Sequence, residues 1–222
     1  MDEQALKEFT EYMVAEAKRN REQKYEQYRR LNPYLEKGQI LFTGSSLMEY
    51  FPVVELSEGV AKRKVYNRGV GGSTSFEFLD HIDAVLFDLA PSAVFVNIGT
   101  NDVGLPDYSK ESLAERYRDI FTQIKERLPE AKVYFLKFYP MNEAKKPHPM
   151  AFGQRTNALI NEANDAVAKV AEEFGVSVLD CNAPLRDAEG RLKAEYTIDG
   201  VHLWPEAYAL VFEALKPVLE AL

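Results

Sequence analysis

The sequence predicts a three-layer α/β/α domain built on a parallel, doubly wound sheet of five strands. Short apolar runs alternate with amphipathic stretches along most of the 222 residues. The apolar runs contain few polar residues, which is typical of strands that are covered by helices on both faces. Five runs of this kind in one chain of this length fit a single doubly wound domain.

Composition excludes several classes of protein. Lys and Arg number 27 against 35 Asp and Glu, which gives a net charge of −8. This charge argues against nucleic acid or an anionic membrane as the main partner. Apolar residues make up 46% of the chain and charged residues 28%, which are ordinary values for a globular protein and exclude wholesale disorder.

The same composition suggests a compartment. Cys181 is the only cysteine, so no intrachain disulfide can form, and a reducing environment is expected. The N-terminus is charged from Asp2 onward and lacks an apolar secretory core. No apolar run approaches the roughly 20 residues of a membrane span. We therefore expect a cytoplasmic protein with no stable membrane insertion.

The first residues of the chain form a highly charged N-terminal segment. Leu6, Phe9, Met13 and Ala17 recur at helical spacing, which predicts one or two helices that end before the Asn32-Pro33 pair. We interpret residues 1–37 as an N-terminal helical extension and residues 38–222 as the catalytic core of a single domain. The extension is expected to pack on the core, although its apolar face could instead meet a second subunit in a homodimer.

The core alternates strands and helices. Its five apolar runs predict strands over residues 39–43, 64–67, 93–98, 132–138 and 176–180. Apolar residues at helical spacing predict helices over residues 76–89, 113–128, 159–174 and 210–218. Pro129 and Gly175 end two of these helices, and Pro205 stands near the first turn of the last. The longest irregular stretches are residues 139–153 and 181–203.

Small polar clusters follow three of the strands, and a fourth precedes the last helix. They are residues 43–49, 67–74, 99–102 and 199–202. Ligands of a doubly wound sheet bind at the carboxyl ends of its strands, so these clusters are expected to lie together.

One cluster offers a nucleophile, and another offers the groups that would activate it. A serine on a tight turn between a strand and a helix would be exposed at the edge of the sheet, which Ser46 fits, with Ser45 as its rival. His202 can accept the serine proton through one ring nitrogen. Asp199, three residues earlier, can hold the other nitrogen and fix the tautomer of the ring.

Acyl transfer also needs donors for the oxyanion that develops on the substrate. The backbone N–H groups of Ser46 and Gly72 and the side-chain amide of Asn101 are the candidates. Each of these residues has a purely structural interpretation on its own. Ser46 could cap a helix, Asn101 could form a turn, and His202 could be solvent-exposed. Their common position at one edge of the sheet favours the catalytic interpretation.

Other functions are disfavoured by the same residues. The glycine-rich stretch 69–74 has Thr74 where a dinucleotide-binding fingerprint needs its third glycine, and it lacks the ending of a phosphate-binding loop. The three histidines are widely spaced beside a single cysteine, so no metal site and no cofactor are expected. A non-catalytic binding module of the same fold is the remaining alternative from another class.

The four clusters, in this order, resemble the four blocks of the SGNH (GDSL) hydrolase superfamily. The resemblance runs from about Ile40 to the last helix and is closest to esterases similar to platelet-activating-factor acetylhydrolase and lysophospholipase L1. It implies a flavodoxin-like domain and metal-free ester hydrolysis through a covalent acyl-enzyme. It selects Ser46 over Ser45 as the nucleophile, with His202 and Asp199 completing the triad. It also implies that Ser46, Gly72 and Asn101 form the oxyanion hole.

Three positions depart from the family pattern or fall outside it. Ser45 stands where the family usually has Asp, and we hypothesise that Asp102 remakes the bonds of that carboxylate. Trp204 is either a staple at the start of the last helix or a wall of the acyl pocket. His148, between two prolines, is a candidate for the entrance of the site.

These observations predict a serine esterase that acts on a small-molecule ester with a short acyl group, most simply acetyl. The short acyl group is expected because no large insertion is available to form a lid or a lipid tunnel. Hydrolysis of a lysophospholipid or thioester, and O-deacetylation of a carbohydrate, remain alternatives on the same machinery.

Overall fold

The computed structural model describes residues 3–148 and 151–222, and it has the predicted architecture. Five parallel strands form one sheet in the order β2-β1-β3-β4-β5. This is the doubly wound order expected for the fold, with the change of winding direction between β1 and β3. The strands are β1 Ile40–Gly44, β2 Val65–Gly69, β3 Ala93–Asn97, β4 Lys132–Leu136 and β5 Ser177–Leu179.

Helices cover both faces of the sheet. They are α1 Glu3–Leu31, α2 Ser46–Glu49, α3 Val53–Leu56, α4 Ser75–Asp80, α5 Ile82–Val85, α6 Lys110–Arg127, α7 Asn157–Glu173 and α8 Pro205–Glu220. Right-handed connections place α2 and α3 on one face and α4 to α7 on the other, because the chain moves in opposite directions along the sheet before and after β2. The contacts agree with this division, since α6 packs on α4 and α7 whereas α8 packs on α3.

Short 3-10 helices occur in the segments that connect the strands and α-helices. They are Asn32–Tyr34, Phe87–Leu89, Asp102–Gly104, Glu143–Lys145, Ala183–Leu185 and Ala194–Tyr196. Within the described chain, the predicted irregular stretches around residues 139–153 and 181–203 contain only such short helices, turns and the two isolated β-bridges Arg186–Leu192 and Thr197–Leu203. No helix in the described ranges has the length and apolarity needed to cross a bilayer.

The prediction of one continuous helix over residues 76–89 was wrong, because the structure interrupts this helix. The segment forms α4, then α5, then a 3-10 turn, and His81 lies at the first break with φ −117° and ψ 18°. Phe76, placed on the predicted apolar face, is 51% exposed. The break lets the His81 ring lie against Tyr25 of α1, with ring centroids 4.0 Å apart. A contact between distant elements therefore overrides the local helical pattern.

Only the second half of α1 is buried against the core. Tyr25 is 1% exposed and Tyr28 is 9% exposed, whereas no side chain described before residue 21 is buried. The Tyr28 hydroxyl donates to the carbonyl of Gly69 at 2.8 Å, at the end of β2. Leu6, Phe9 and Met13, the residues expected to face a second subunit, are each about half exposed. The homodimer stays a prediction.

The strand ends place the sequence clusters along one edge of the sheet. In the strand register, Gly44 of β1 lies opposite Gly69 of β2 on one side and Asn97 of β3 on the other. The chain leaves all three strands at this level and enters the polar clusters. The point where the winding changes direction thus lies beside the turn that contains Ser46.

Candidate active site

Ser46 opens helix α2 directly after β1. Gly44 has φ +150°, and a Cβ there would lie 1.9 Å from the carbonyl oxygen of Asn97, so only glycine allows this close approach of the two strands. Ser45 is the N-cap residue of α2 and makes no side-chain capping bond. The capping interpretation of Ser46 is therefore wrong, because Ser46 is the first residue of the helix and its side chain points elsewhere.

The three predicted triad residues form a continuous hydrogen-bonded chain. Ser46 Oγ lies 2.9 Å from His202 Nε2. His202 Nδ1 lies 2.7 Å from Asp199 Oδ2. A hydroxyl that donates to one ring nitrogen, while a carboxylate accepts from the other, is the arrangement in which histidine can remove the serine proton. Ser46 is 7% exposed, so its hydroxyl is largely shielded from bulk water.

Asp199 and His202 are held together by their own turn. Asp199 Oδ1 accepts the backbone N–H groups of Val201 at 3.0 Å and His202 at 2.9 Å. The Thr197 hydroxyl donates to the His202 carbonyl at 2.9 Å and accepts the Gly200 N–H at 2.8 Å. Burial acts to raise the pKa of Asp199, but the hydrogen bonds from His202 and Val201 outweigh it and hold that pKa below its usual range. Asp199 therefore stays ionised beside the imidazole.

Three N–H donors surround the space in front of Ser46 Oγ. The backbone N–H groups of Ser46 and Gly72 donate no hydrogen bond to any described residue. Gly72 has φ +77°, a left-handed conformation that favours glycine. The side-chain amide of Asn101 donates to the carbonyl of Ser73 at 2.8 Å, which leaves its second N–H available. These are the three groups predicted for an oxyanion hole.

Arg155 fixes the orientation of the Asn101 amide. Its Nη2 donates to Asn101 Oδ1 at 3.0 Å, so the nitrogen of the amide must face Ser73 and the open space. Arg155 is 3% exposed, and burial lowers the pKa of its guanidinium to about 10, against the charges of Asp102 and Asp199, which raise it. The residue remains a cation at neutral pH.

A cavity of about 470 Å³ opens onto the triad, and several of its walls were not predicted. Helix α1 contributes four residues, so it forms part of the site as well as packing on the core. Arg155 and Phe152 come from the segment between β4 and α7. The lining residues are Ala17, Asn20, Arg21, Lys24, Ser46, Glu49, Tyr50, Val70, Gly71, Gly72, Asn101, Phe152, Arg155 and His202.

Two of the α1 residues are anchored by glutamates of the core. Arg21 Nε donates to Glu77 Oε1 at 2.9 Å, close to the start of α4. Lys24 Nζ lies 3.0 Å from Glu49 Oε1, and the second oxygen of Glu49 accepts the Gly71 N–H at 2.6 Å. These ion pairs join α1 to α2 and to the glycine-rich loop beside the nucleophile.

Asp102 supports the site from behind, through the first turn of α4. Its carboxylate accepts the backbone N–H of Ser75 at 2.9 Å and pairs with Arg116 at 3.2 Å. It therefore holds the first turn of α4, directly after the loop that carries Gly72. Ser45 Oγ is buried and has no hydrogen-bond partner among the described residues. The serine at this position thus makes no bond of the kind a carboxylate would make.

The remaining candidates lie away from the cavity. Trp204 is 44% exposed, and its carbonyl accepts the N–H groups of the first turn of α8, so the Trp204 backbone begins that helix. His148 is exposed and does not line the cavity. Cys181 is 6% exposed, and burial raises the pKa of its thiol to about 12. In the described ranges, no group of three or more His, Cys, Asp or Glu side chains is placed to hold a metal ion.

Solved structures share this architecture over nearly the whole chain. A Streptococcus pneumoniae protein provisionally described as a platelet activating factor is 28% identical, with a TM-score of 0.85 and coverage of 99% of this chain and 100% of that one. A GDSL-like lipase from Bacteroides thetaiotaomicron is 22% identical, with a TM-score of 0.75 and coverage of 89% and 97%. The second likeness concerns the fold, whereas the first includes the N-terminal helix.

A curated relative matches over part of its length. The N-acylneuraminate cytidylyltransferase of Escherichia coli is 26% identical over 192 residues, which are 85% of this chain. The chain spans only 42% of that protein.

The family match covers most of the core. The model of the GDSL-like lipase/acylhydrolase family matches residues 48–210, which begin just after the Ser46 turn and include the loop of Gly72, Asn101 and the turn of His202. A match over this share of the chain agrees with the resemblance of the four sequence clusters and with the fold. The chain therefore belongs to the GDSL-like lipase/acylhydrolase family.

Proposed function

We propose that the protein is a serine esterase that hydrolyses a small ester with a short acyl group through a covalent acyl-enzyme. The observation that carries this proposal is the hydrogen-bonded chain from Ser46 Oγ to His202 Nε2 at 2.9 Å and from His202 Nδ1 to Asp199 at 2.7 Å. It ends beside three N–H groups that are free to donate. Nucleophile, base, orienting carboxylate and oxyanion donors thus lie around one cavity.

In the first half of the reaction, Ser46 Oγ attacks the carbonyl carbon of the ester while His202 takes the hydroxyl proton. The carbonyl oxygen becomes an oxyanion and receives hydrogen bonds from Ser46 N–H, Gly72 N–H and the Asn101 amide. The tetrahedral intermediate then breaks its bond to the alcohol oxygen, which leaves with the proton from His202. Ser46 now carries the acyl group.

In the second half, water replaces the alcohol. His202 removes a proton from the water, which attacks the acyl carbon, and the same donors bind the second oxyanion. Collapse of this intermediate releases the carboxylic acid and returns the proton to Ser46 Oγ. Asp199 remains ionised throughout and stabilises the imidazolium that forms in each half.

The walls of the cavity favour a short acyl group. Arg21, Lys24, Glu49 and Arg155 are charged and line the cavity of about 470 Å³ around Ser46. These charged groups interrupt the apolar wall of Ala17, Tyr50, Val70 and Phe152, and a long alkyl chain needs continuous contact with apolar surface to gain from leaving water. This supports an acetyl or similarly short ester over a lysophospholipid or a long-chain thioester.

Carbohydrate O-deacetylation is the second candidate, and one comparison favours it. The Escherichia coli relative is named for N-acylneuraminate, an acylated sugar acid, and the region similar to this chain covers 42% of that protein. An acetyl ester on a sugar has the small acyl group and the polar alcohol that this cavity suits.

The nucleophile is tested by a pair of neighbouring variants. Ser46→Ala is expected to remove ester hydrolysis, with a fall in kcat/KM of at least about 10³-fold, because no other hydroxyl of the described residues is hydrogen-bonded to His202 Nε2. Ser45→Ala is the matched control, since the Ser45 hydroxyl is equally buried but has no bonding partner in the described chain. It is expected to keep most of the activity. Full activity in S46A would contradict the assignment.

Acyl length is tested separately with aryl esters from acetyl to palmitoyl. We expect kcat/KM to be highest for acetyl or propionyl esters and to fall as the chain lengthens. A maximum at long chains would refute the short-acyl proposal while leaving the triad intact.

A further inference from the structure

Arg155 is a buried cation that has no counter-charge in contact with it. It is 3% exposed, its Nη2 donates to a neutral acceptor on Asn101, and its Nε has no partner among the described residues. No carboxylate of the described chain lies within ion-pair distance of the guanidinium. By contrast, the buried Arg116 pairs directly with Asp102 at 3.2 Å.

Such a guanidinium is unusual because a buried charge is costly unless an opposite charge balances it. The nearest negative groups are already engaged. Asp199 holds the imidazole and backbone of His202, and Asp102 holds Ser75 and Arg116. Their charges still act on Arg155 at a distance. Arg155 also lines the cavity in which the substrate must bind.

Helix α1 adds two further cations to the cavity wall, and each of them is held in an ion pair. These cations are Arg21 and Lys24, and Glu49 is the one carboxylate among the described lining residues. Glu77 engages Nε and Nη2 of Arg21 from outside the lining. Arg21 Nη1 has no hydrogen-bond partner in the described chain and would lie 3.4 Å from a Cβ on Gly72, so it is beside the proposed oxyanion loop. Arg155 is thus the one cation among the described lining residues that has no carboxylate within ion-pair distance.

We propose that the substrate is an anionic ester whose carboxylate or phosphate group binds Arg155 while Ser46 attacks the ester carbonyl. The fork of N–H donors on arginine matches both of these anions geometrically. One donor of Arg155 stays on Asn101 and orients the oxyanion amide, and the others bind the substrate anion. This inference rests on the proposed function, since it names the class of ester that the triad hydrolyses.

The test compares esters that differ in charge but share an acetyl group and a phenolic leaving group. They are 3-acetoxybenzoate, 3-acetoxyphenyl phosphate and the neutral 3-acetoxybenzamide. We expect kcat/KM for at least one anionic ester to exceed that for the amide by at least about tenfold, the gain of a charge-assisted hydrogen bond. The larger of the two anionic preferences shows whether the site suits a carboxylate or a phosphate.

Arg155→Met is expected to reduce this preference to about one, while Arg155→Lys keeps part of it. Both variants lose the Nη2 hydrogen bond to Asn101, so absolute rates fall for every ester, and the ratio between anionic and neutral esters is the readout. Arg118→Met is the matched control, because it removes an exposed arginine that pairs with Glu173 outside the cavity. It is expected to leave the ratio unchanged.

A binding measurement separates this inference from the proposed function. Titration of inorganic phosphate into S46A by calorimetry should show binding that weakens at least about tenfold in S46A/R155M. If wild type hydrolyses all three esters with equal kcat/KM and phosphate binds S46A and S46A/R155M with equal affinity, the anion site is refuted and the esterase stands. If no ester is hydrolysed but phosphate binding depends on Arg155, the proposed esterase fails and the anion site stands.

Discussion

Asp199 uses both of its carboxylate oxygens on His202. One oxygen accepts the ring Nδ1–H at 2.7 Å, and the other accepts the backbone N–H of the same residue at 2.9 Å. The carboxylate therefore fixes the position of the ring and its tautomer together. Asp199→Asn should break this arrangement, because the amide can present a donor where His202 needs an acceptor, and kcat/KM should fall by up to about 10⁴-fold.

The same substitution has a pH-dependent effect on stability. The folded protein holds the pKa of Asp199 below its usual range, chiefly because hydrogen bonds from His202 overcome the effect of burial. A depressed carboxylate pKa stabilises the fold above the unfolded pKa of about 3.9, and this contribution is lost as the pH falls through the folded value. We expect D199N to lower the free energy of unfolding at pH 6 by about 1 kcal/mol and to approach wild type below pH ~4.

Urea unfolding followed by circular dichroism at several pH values between 6 and 3 measures this difference. Asp119→Asn controls for the loss of one negative charge, since Asp119 is an exposed residue of α6. A difference between D199N and wild type that stays constant down to pH 3 would show that the ionised carboxylate is not what stabilises the turn.

Individual site residues could be predicted unequally from the sequence. Ser46, Gly72, Asn101, Asp199 and His202 stand in short motifs whose spacing is set by local turns, so the sequence shows them directly. Arg155 stands in no motif. It lies 54 residues from Asn101 in an irregular segment, and only the tertiary fold brings the two side chains to 3.0 Å. The sequence around a single arginine in an irregular segment does not indicate that its side chain is buried or which residue it contacts.

At the scale of elements, helix α1 is attached beside the site by its two buried tyrosines, Tyr25 and Tyr28. Tyr25 is 1% exposed, packs on His81 and shares a short hydrogen bond with the hydroxyl of Ser73. The carbonyl of Ser73 in turn accepts the Asn101 amide, so the attachment of α1 ends one residue from the proposed oxyanion hole. The helix thus couples its own packing to the geometry of the glycine-rich loop that carries Gly72.

Tyr25→Ala should therefore affect both stability and catalysis. Removing a fully buried aromatic ring is expected to cost about 3–5 kcal/mol of unfolding free energy. It should also lower kcat/KM, because Arg21 and Lys24 would no longer be held against the cavity. Tyr12→Ala is the matched control on the same helix, since Tyr12 is 57% exposed, and its cost should stay within about 0.5 kcal/mol.

Denaturant unfolding and steady-state kinetics on the two variants provide the measurement. Equal stability of Y25A and Y12A would mean that α1 is not docked as described. Normal kcat/KM in a clearly destabilised Y25A would mean instead that α1 packs on the core without shaping the site.

Elements with a continuous apolar pattern were predicted well, and those shaped by distant contacts were not. The strands agree with their apolar runs to within two residues, and the clearest runs belong to β1 and β3, in which every residue is buried. The segment 76–89 has helical spacing, yet α4 ends at Asp80 where His81 turns toward Tyr25. Local periodicity contains no information about a partner that lies more than fifty residues earlier.

At the scale of the whole molecule, strand order follows from general rules, whereas the path of α1 does not. Alternating strands and helices with right-handed connections leave few topologies, and the observed order β2-β1-β3-β4-β5 is one of them. No such rule governs a helix that precedes the first strand. Its placement depends on side chains such as Tyr28, which meets the end of β2. The contribution of α1 to the cavity could therefore be found only in the structure.

The lone cysteine offers a measure of how cooperatively this molecule unfolds. Cys181 follows β5, is 6% exposed, and has a thiol pKa raised to about 12 by burial and by the nearby charge of Asp180. Because the thiolate is the reactive form, the native thiol should resist an aromatic disulfide reagent at pH 8. Labelling should require opening of the edge of the sheet.

We expect about one thiol per chain to react in urea, and less than a tenth of that within an hour without urea. The midpoint of labelling should coincide with that of circular dichroism if β5 unfolds with the rest of the core. A labelling midpoint at clearly lower urea would show that β5 opens on its own while β1 and β3, which carry the catalytic turns, remain folded.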